Sequence, residues 1–107
     1  MKQLKFSVPL LKLILSGEKT TTWRIDDNKD IQEGDDLSLC DNRGKQFATA
    51  DVSKVEEKTF GELNEEDKAG HEKFNSEHEM YKTYSKYYGM KVTPNTKVKV
   101  IKFKLIS

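Results

Sequence analysis

The stretch ILSGEKTTTWRI, residues 14–25, decides how this chain begins to fold. It leaves an apolar helical pattern, reaches Gly17, and then enters a run of threonines followed by tryptophan. Glycine readily adopts the left-handed conformation that ends helices, and β-branched and aromatic residues favour strands. The stretch therefore predicts a helix over residues 9–16 that buries Leu11, Ile14 and Leu15 and ends at Gly17. A strand is predicted over residues 20–25.

Two cations, Lys19 and Arg24, flank the threonines of this stretch. Side chains alternate between the two faces of a strand, so Thr20, Thr22 and Arg24 share one face and Trp23 lies on the other. If Trp23 points into the core, the opposite face brings hydroxyls and a guanidinium beside Lys19. A buried lysine near another cation has a lowered pKa and can deprotonate a threonine hydroxyl, which suits an anionic or carbonyl-bearing ligand. Spacing alone favours a purely structural interpretation, because threonines fit strands and a lysine stabilises the negative end of a helix.

The segments on either side predict further strands. KQLKFSV alternates apolar and polar residues at the start of the chain, and LSLCD and KQFATADVSKV flank the turn Asn42-Arg43-Gly44, which is typical of a β-hairpin. The final segment, TKVKVIKFKLIS, predicts a strand whose apolar phase shifts between Val100 and Ile101. The shift indicates a bulge or burial of both faces, and we expect its lysines to lie along a solvated sheet edge.

The polar segment between these strands, residues 56–89, has helical spacing in two pieces. Two pairs of residues resemble capping boxes: Asn64 with Asp67, and Ser76 with Glu79. Gly89 predicts the end of the second helix. The order strand, helix, strand, hairpin, helices, strand predicts an α+β fold, a small curved sheet or β-barrel with helices packed outside. At 107 residues, we expect residues 1–107 to form a single domain.

The net charge is only +1, but the charges fall into blocks along the chain. They sum to +4 over residues 1–25, −4 over 26–50, −6 over 51–79 and +7 over 80–107. A concentrated positive block indicates an anionic partner such as RNA. Clustered apolar residues favour a folded chain over a disordered one.

Several other classes of protein and site are disfavoured. The only cysteine, Cys40, excludes an intramolecular disulfide, and without a signal-peptide pattern we expect a cytoplasmic protein. VPLLKLIL is too short to cross a bilayer. His71 and His78 lack a third ligand at a useful spacing, and the acidic loop lacks the spacing of a calcium loop, so we predict no metal and no cofactor. No obligate protein partner is indicated, and we expect a monomer.

Residues 14–25, followed by GDDLSL, resemble the ASCH domain family, whose small β-barrels are related to the RNA-binding PUA fold. Its pattern is an apolar helix ending in Gly-x-Lys-x-x-x-x-Arg, then Gly-Asp before a strand. The matching residues are Ile14, Gly17, Lys19, Thr20, Thr22, Arg24, Gly34 and Asp35. Residues 62–89 resemble the family's helical insert, matching at Ala69, Glu72, Phe74, Ser76, Tyr88 and Gly89. The resemblance covers nearly the whole chain, closing with VKVIKFKLI, and implies a PUA-like β-barrel with helices packed outside.

Some small single-domain bacterial members of this family hydrolyse N4-acetylcytidine with a lysine, a threonine and a glutamate. The resemblance implies these catalytic roles for Lys19, Thr22 and Glu72. Lys19 in its neutral form would deprotonate Thr22, and Glu72 would assist proton transfer. Glu77 and Glu79 lie nearby in the sequence and are alternatives to Glu72.

Ligand binding is expected from Gly17, Thr20, Arg24, Tyr84 and Tyr88. Arg24, or a backbone N–H near the Gly17 turn, would stabilise an oxyanion. Tyr84 and Tyr88 lie among lysines, a combination that stacks on nucleic-acid bases, although their spacing also fits a helix face packed on a sheet. The predicted partner is therefore RNA or a nucleoside. The competing hypothesis is a non-catalytic RNA- or nucleotide-binding module, or a ribonuclease, since family members of these kinds are also known.

Overall fold

The chain folds into a curved mixed sheet of five strands, a half-barrel with helices outside, which confirms the predicted α+β class. The structure is a computed structural model that describes residues 1–106. In chain order the elements are β1 (Lys2–Lys5), α1 (Val8–Ser16), β2 (Thr21–Arg24), β3 (Asp36–Cys40), β4 (Gln46–Thr59), α2 (Glu65–Lys68), α3 (Glu77–Tyr88) and β5 (Lys97–Leu105), with a 3-10 turn at Phe60–Glu62. Over residues 1–106, no helix has the length and apolar character needed to cross a bilayer.

The sheet order is β1-β3-β4-β5-β2, with β1 and β3 parallel and every other pair antiparallel. The expected position of the lysine-rich β5 at an edge is therefore wrong, because β2 pairs with its outer side. Two of its lysines find partners within the molecule instead. Lys99 Nζ lies 3.0 Å from Asp27 Oδ2, and Lys102 Nζ donates to the Glu66 carbonyl oxygen at 2.7 Å.

Helix α1 ends as predicted, at a glycine in the left-handed conformation. Gly17 has φ +85°, and its N–H donates to the Ile14 carbonyl. Ile14 is buried, but Leu15, which we expected to be buried with Leu11, is 54% exposed, and Leu11 is half-buried. The reason is geometric: successive helical residues point about 100° apart, so a helix that buries Ile14 turns Leu15 outward.

Two apolar clusters lie on opposite faces of the sheet. The α1 cluster contains Leu4, Phe6, Ile14, Ile31, Leu37, Leu39, Ala50, Val52, Ile101 and Phe103. The α3 cluster contains Trp23, Ile25, Phe60, Leu63, Met80, Tyr84, Val92, Val98 and Val100. Strand β5 contributes to both, with Val100 in one and Ile101 in the other. The phase shift predicted there thus reflects burial of both faces, and the bulge lies on the facing strand, between Val52 and Lys54.

The turns and caps follow the local sequence. Gly44 has φ +85° in the hairpin between β3 and β4, and Gly89 has φ +62° where α3 ends. The Asn64 side chain accepts from the Asp67 N–H at 3.0 Å, and Asp67 Oδ2 accepts from the Asn64 N–H at 2.9 Å, which completes a capping box. At Ser76 the hydroxyl accepts from the Glu79 N–H at 3.1 Å. These contacts fix the segment between β4 and β5 that reaches the site.

Candidate functional site

A cavity of about 300 Å³ opens between β2, the end of β1 and α3. Its walls include six side chains that the sequence singled out: Lys19, Thr22, Arg24, Glu72, Tyr84 and Tyr88. Apolar and aromatic neighbours, among them Phe6, Leu10, Trp23 and Tyr87, complete much of the lining. We call this space the Lys19 cavity.

Lys19 enters the cavity because the turn at Gly17 reverses the chain. The Lys19 N–H donates to the Leu13 carbonyl at 3.0 Å, and its side chain is only 1% exposed. The ammonium donates to Glu72 Oε2 at 2.6 Å and to the Thr21 carbonyl at 2.7 Å. Burial lowers the pKa of Lys19, the Glu72 carboxylate opposes that shift, and Arg24 adds to it. Two of the three N–H bonds are occupied, which leaves one for a ligand.

Glu72 reaches Lys19 from the segment that follows α2, across 53 positions of chain. Its side chain is 24% exposed, so the carboxylate faces both the protein and the cavity. Burial by itself raises the pKa of Glu72, but His71 and the Lys19 ammonium outweigh it, and the net pKa lies below its usual value. At neutral pH the carboxyl group is therefore ionised beside Lys19.

Thr22 and Arg24 lie on the same face of β2, as the alternation required. Thr22 Oγ1 accepts from Arg24 Nε at 3.3 Å, so the hydroxyl keeps its own proton for donation. Arg24 Nη2 donates to the Lys5 carbonyl at 3.1 Å, and its guanidinium carbon lies 4.7 Å from the centroid of the Phe6 ring. Arg24 thereby links the two edge strands, β1 and β2, at the mouth of the cavity.

Four other residues considered in the sequence lie outside the Lys19 cavity. Gly17 ends α1 on the surface, and exposed Thr20 uses its N–H to bind the Gly70 carbonyl at 2.8 Å. Glu77 and Glu79 are exposed on α3. The structure therefore brings Glu72, rather than either of these acids, to Lys19.

A second cavity, of about 310 Å³, lies on the other side of Glu72 and Trp23. Phe74 and Met80 contribute to its apolar lining, and Glu77 also borders it. Glu72 and Trp23 line both cavities and so form part of the wall between them.

Sequence reasoning considered His71 only as a zinc ligand and missed its position beside Glu72. Its ring is buried and stacks on Trp23, with centroids 3.6 Å apart and planes at 16°. Nε2 lies 2.9 Å from the Tyr84 hydroxyl oxygen, and Nδ1 lies 2.9 Å from the Glu72 carbonyl oxygen. Burial first, and the Lys19 charge second, lower the pKa of His71 to about 4. The one signal in the sequence was the adjacency of a histidine and a glutamate.

Gly70 is the second residue that sequence reasoning missed. It has φ +76°, and its carbonyl accepts the N–H groups of Thr20 and Thr21 at 2.8 and 3.1 Å. A Cβ atom at this position would lie 2.1 Å from Thr20 Oγ1. A residue with a side chain would therefore clash where the segment carrying Glu72 meets β2.

Comparisons with known proteins agree with this fold. A family model described as the ASCH domain matches residues 3–107. The chain is similar to the crystal structure of hypothetical protein PH0355, with 24% identity and a TM-score of 0.76 over 99% of this chain and 100% of that one. It is also similar to an ASCH domain from Lactobacillus crispatus JV V101, with 17% identity and a TM-score of 0.67 over 88% of this chain and 68% of that one. It is similar as well to the ZmASCH S128A mutant protein from Zymomonas mobilis, with 18% identity and a TM-score of 0.66 over 95% of this chain and 66% of that one. No curated protein matches the chain.

Proposed function

The chain belongs to the ASCH domain family, and from that membership and the Lys19 cavity we propose that it binds a modified nucleoside, free or within RNA. We further propose that it hydrolyses the amide of N4-acetylcytidine to cytidine and acetate, and that residues 1–107 form one ASCH domain. One observation carries the proposal: Lys19 Nζ lies 2.6 Å from Glu72 Oε2 in a cavity that Thr22 also lines.

The size and lining of the cavity suit a nucleoside. A volume of about 300 Å³ is at the lower end of the range for small-molecule sites. The rings of Tyr84 and Tyr88 are nearly parallel, at 10° with centroids 6.3 Å apart, and Phe6 lies under the Arg24 guanidinium. Flat aromatic surfaces of this kind stack on bases.

The Lys19–Glu72 pair supplies the base that amide hydrolysis needs. Transfer of the Lys19 proton to the adjacent Glu72 carboxylate gives a neutral amine, the form of Lys19 that burial favours. Lys19 then takes the Thr22 hydroxyl proton while the Thr22 oxygen bonds to the acetyl carbon. The carbon–nitrogen bond breaks, and the cytosine amine leaves with the proton from Lys19. Lys19 then takes a proton from water as the water oxygen bonds to the acetyl carbon of the ester. The ester bond breaks, the proton passes to the Thr22 oxygen and restores the hydroxyl, and acetic acid leaves and loses its proton to solvent as acetate.

Negative charge that develops on the acetyl oxygen during the reaction needs a hydrogen-bond donor to stabilise it. Arg24 uses one Nη2 N–H on Lys5 and its Nε–H on Thr22, which leaves further N–H bonds for a ligand. A guanidinium held in place before the reaction stabilises an oxyanion without reorganisation. Arg24 therefore takes the oxyanion-binding role in this proposal.

Direct assay of N4-acetylcytidine with the purified protein tests the proposal by separating cytidine from substrate. We expect turnover by the natural protein, and a loss of roughly 100-fold or more in kcat for Lys19→Ala, Thr22→Val and Glu72→Gln. Matched controls are Lys12→Ala and Glu18→Gln, which change exposed residues of the same types. Absence of turnover, or equal activity in all variants, contradicts the proposal.

A second candidate function, a non-catalytic RNA-binding module, is favoured by one observation. Tyr87 is 64% exposed at the border of the Lys19 cavity, near Lys5 and Arg24. An exposed ring among cations suits a single-stranded nucleic acid. Binding to RNA that weakens with salt, without turnover of N4-acetylcytidine and without strand cleavage on a gel, favours the module. Strand cleavage favours the ribonuclease alternative.

A further inference from the structure

The two hydrogen-bond partners of His71 determine which of its nitrogens carries a proton. The Glu72 carbonyl oxygen, 2.9 Å from Nδ1, can only accept, so Nδ1 is the protonated nitrogen. The ring is neutral at pH 7, because its pKa is lowered to about 4. Nε2 therefore has a free lone pair, and the Tyr84 hydroxyl, 2.9 Å away, donates to it.

Packing holds the His71 ring in this orientation. One face stacks on Trp23, whose own Nε1 donates to the Asp67 carbonyl at 3.1 Å. The Nδ1 atom also lies 3.5 Å from Glu72 Oε2, so its N–H is close to the carboxylate as well as to the carbonyl. One buried ring thus connects the backbone and carboxylate of Glu72 to Tyr84 on α3.

We propose that His71 is a positioning residue of the Lys19 cavity, which holds Glu72 against Lys19 and turns the Tyr84 hydroxyl proton away from the ligand. Tyr84 then presents only oxygen lone pairs to the cavity that it lines. The ligand group that meets Tyr84 is a hydrogen-bond donor, such as the exocyclic amine of a cytosine-type base. The role in turnover rests on the proposed function, whereas the hydrogen-bond pattern does not.

Nitrogen-15 NMR of the unliganded protein tests the pattern without any substrate. At pH 7 we expect a neutral ring for His71 with the proton on Nδ1, whereas exposed His78 serves as the internal reference. A proton on Nε2, or a doubly protonated ring, overturns the proposal. This result holds whether or not N4-acetylcytidine is the substrate, so its failure is distinct from failure of the proposed function.

Two substitutions separate positioning from packing in the hydrolysis assay. His71→Phe keeps a ring on Trp23 and loses both hydrogen bonds, whereas His71→Asn keeps a donor close to the Nδ1 position. We expect kcat to fall roughly 10- to 100-fold in His71→Phe with a smaller change in KM, and to recover partly in His71→Asn. His78→Phe is the matched control, with unchanged kcat. A lowered melting temperature with kcat unchanged for the folded protein means that His71 only packs, and overturns the proposal.

Binding of cytidine and uridine tests whether the Tyr84 hydroxyl accepts a hydrogen bond from the ligand. The two nucleosides have nearly the same shape, but cytidine carries an amine where uridine carries a carbonyl. We expect the natural protein to bind cytidine more tightly, by roughly 10-fold, because a carbonyl facing the lone pairs of Tyr84 leaves both without a donor. Tyr84→Phe removes the hydroxyl and keeps the ring, so the preference should shrink. An unchanged preference in Tyr84→Phe overturns the assignment of Tyr84 as an acceptor.

Discussion

Lys19 is the residue whose burial most needs an explanation. A buried ammonium loses its hydration, and pairing with a carboxylate recovers only part of that free energy. Here two acceptors compensate, the Glu72 carboxylate and the Thr21 carbonyl. An apolar pair of similar size would pack there at less cost, so stability alone does not account for Lys19 and Glu72. The proposed role, in which a proton moves between Lys19 and Glu72, would account for both.

The unusual pKa of His71 makes a prediction about stability and pH. The unfolded chain takes up a proton near pH 6.5, whereas the folded ring does so only near pH 4. The unfolded state therefore binds more protons in this window, and the free energy of unfolding falls as the pH drops from about 6.5 to 4. The His71 contribution is fully present above that window, and its loss amounts to about 3 kcal/mol.

Denaturant unfolding of the natural protein and of His71→Asn at several pH values measures this contribution. Lys19, Arg24, Glu72 and Tyr84 all face the ring and remain in both proteins, so the difference between the two curves reports His71 together with its effect on the pKa of Glu72. The natural protein should lose more stability than the variant between pH 6.5 and 4. Parallel curves would contradict a buried neutral histidine.

Gly70 gives a prediction about backbone and space together. Gly70→Ala places a side chain at φ +76° and a Cβ atom against Thr20 Oγ1. The matched control is Gly44→Ala, at φ +85° with open space around the Cβ position. The conformational cost, about 1–2 kcal/mol, is common to both, so chemical denaturation should show a larger loss for Gly70→Ala. Equal losses would mean that Thr20 rotates away freely.

At the scale of elements, the segment that carries Glu72 is fastened to β2 and β5 by polar contacts. Thr21 Oγ1 donates to the Ala69 carbonyl at 2.7 Å, and Lys102 Nζ donates to Thr21 Oγ1 at 3.2 Å and to the Glu66 carbonyl at 2.7 Å. Helix α2, Glu65–Lys68, has only four residues, so its own hydrogen bonds contribute little. The sheet, rather than the helix, therefore positions Glu72.

Lys102→Met should loosen this segment, because it removes the ammonium and keeps an apolar side chain of similar length. We expect the amides of Gly70, His71 and Glu72 to exchange with deuterium faster than in the natural protein, by roughly 10-fold. Lys104→Met is the control, since Lys104 is an exposed lysine of the same strand. Equal exchange in the two variants would show that Lys102 does not hold the segment.

Residues close together in sequence predicted the helices, strands and turns better than they predicted which of these elements pack side by side. The turn at Gly17, the hairpin glycine and the Asn64 cap depend on residues close in sequence, and all three were predicted. The interior position of β5 depends on which strand pairs with its outer side, a choice made over most of the chain. The contacts of His71 were equally inaccessible, because Tyr84 and Trp23 lie on different elements. The proximity of Lys19 and Glu72 came from family resemblance, not from spacing.

At the scale of the whole molecule, charges that are separated in sequence come together in space. The positive block of residues 80–107 supplies Lys99, whose partner Asp27 lies in an acidic block, and Lys102, which binds backbone carbonyls. Those two lysines already have partners within the fold, so they contribute less to the binding of an anionic partner than the count of positive charges in the sequence suggests. The cations at the site, Lys19 and Arg24, come from the first 25 residues instead.

The two apolar clusters share β5, so the molecule should unfold as one cooperative unit. Trp23 is the only tryptophan and lies in the α3 cluster, so its fluorescence reports that side, whereas far-ultraviolet circular dichroism reports the whole backbone. In denaturant the two transitions should coincide.

Met80→Ala removes a buried side chain of the α3 cluster. It should lower the free energy of unfolding by about 2–5 kcal/mol, the usual cost of truncating one core side chain, and shift both transitions together. Met90→Ala, at a site 41% exposed, should shift neither. If Met80→Ala moved only the tryptophan transition, the α3 side and the site built on it would fold separately from the rest of the sheet.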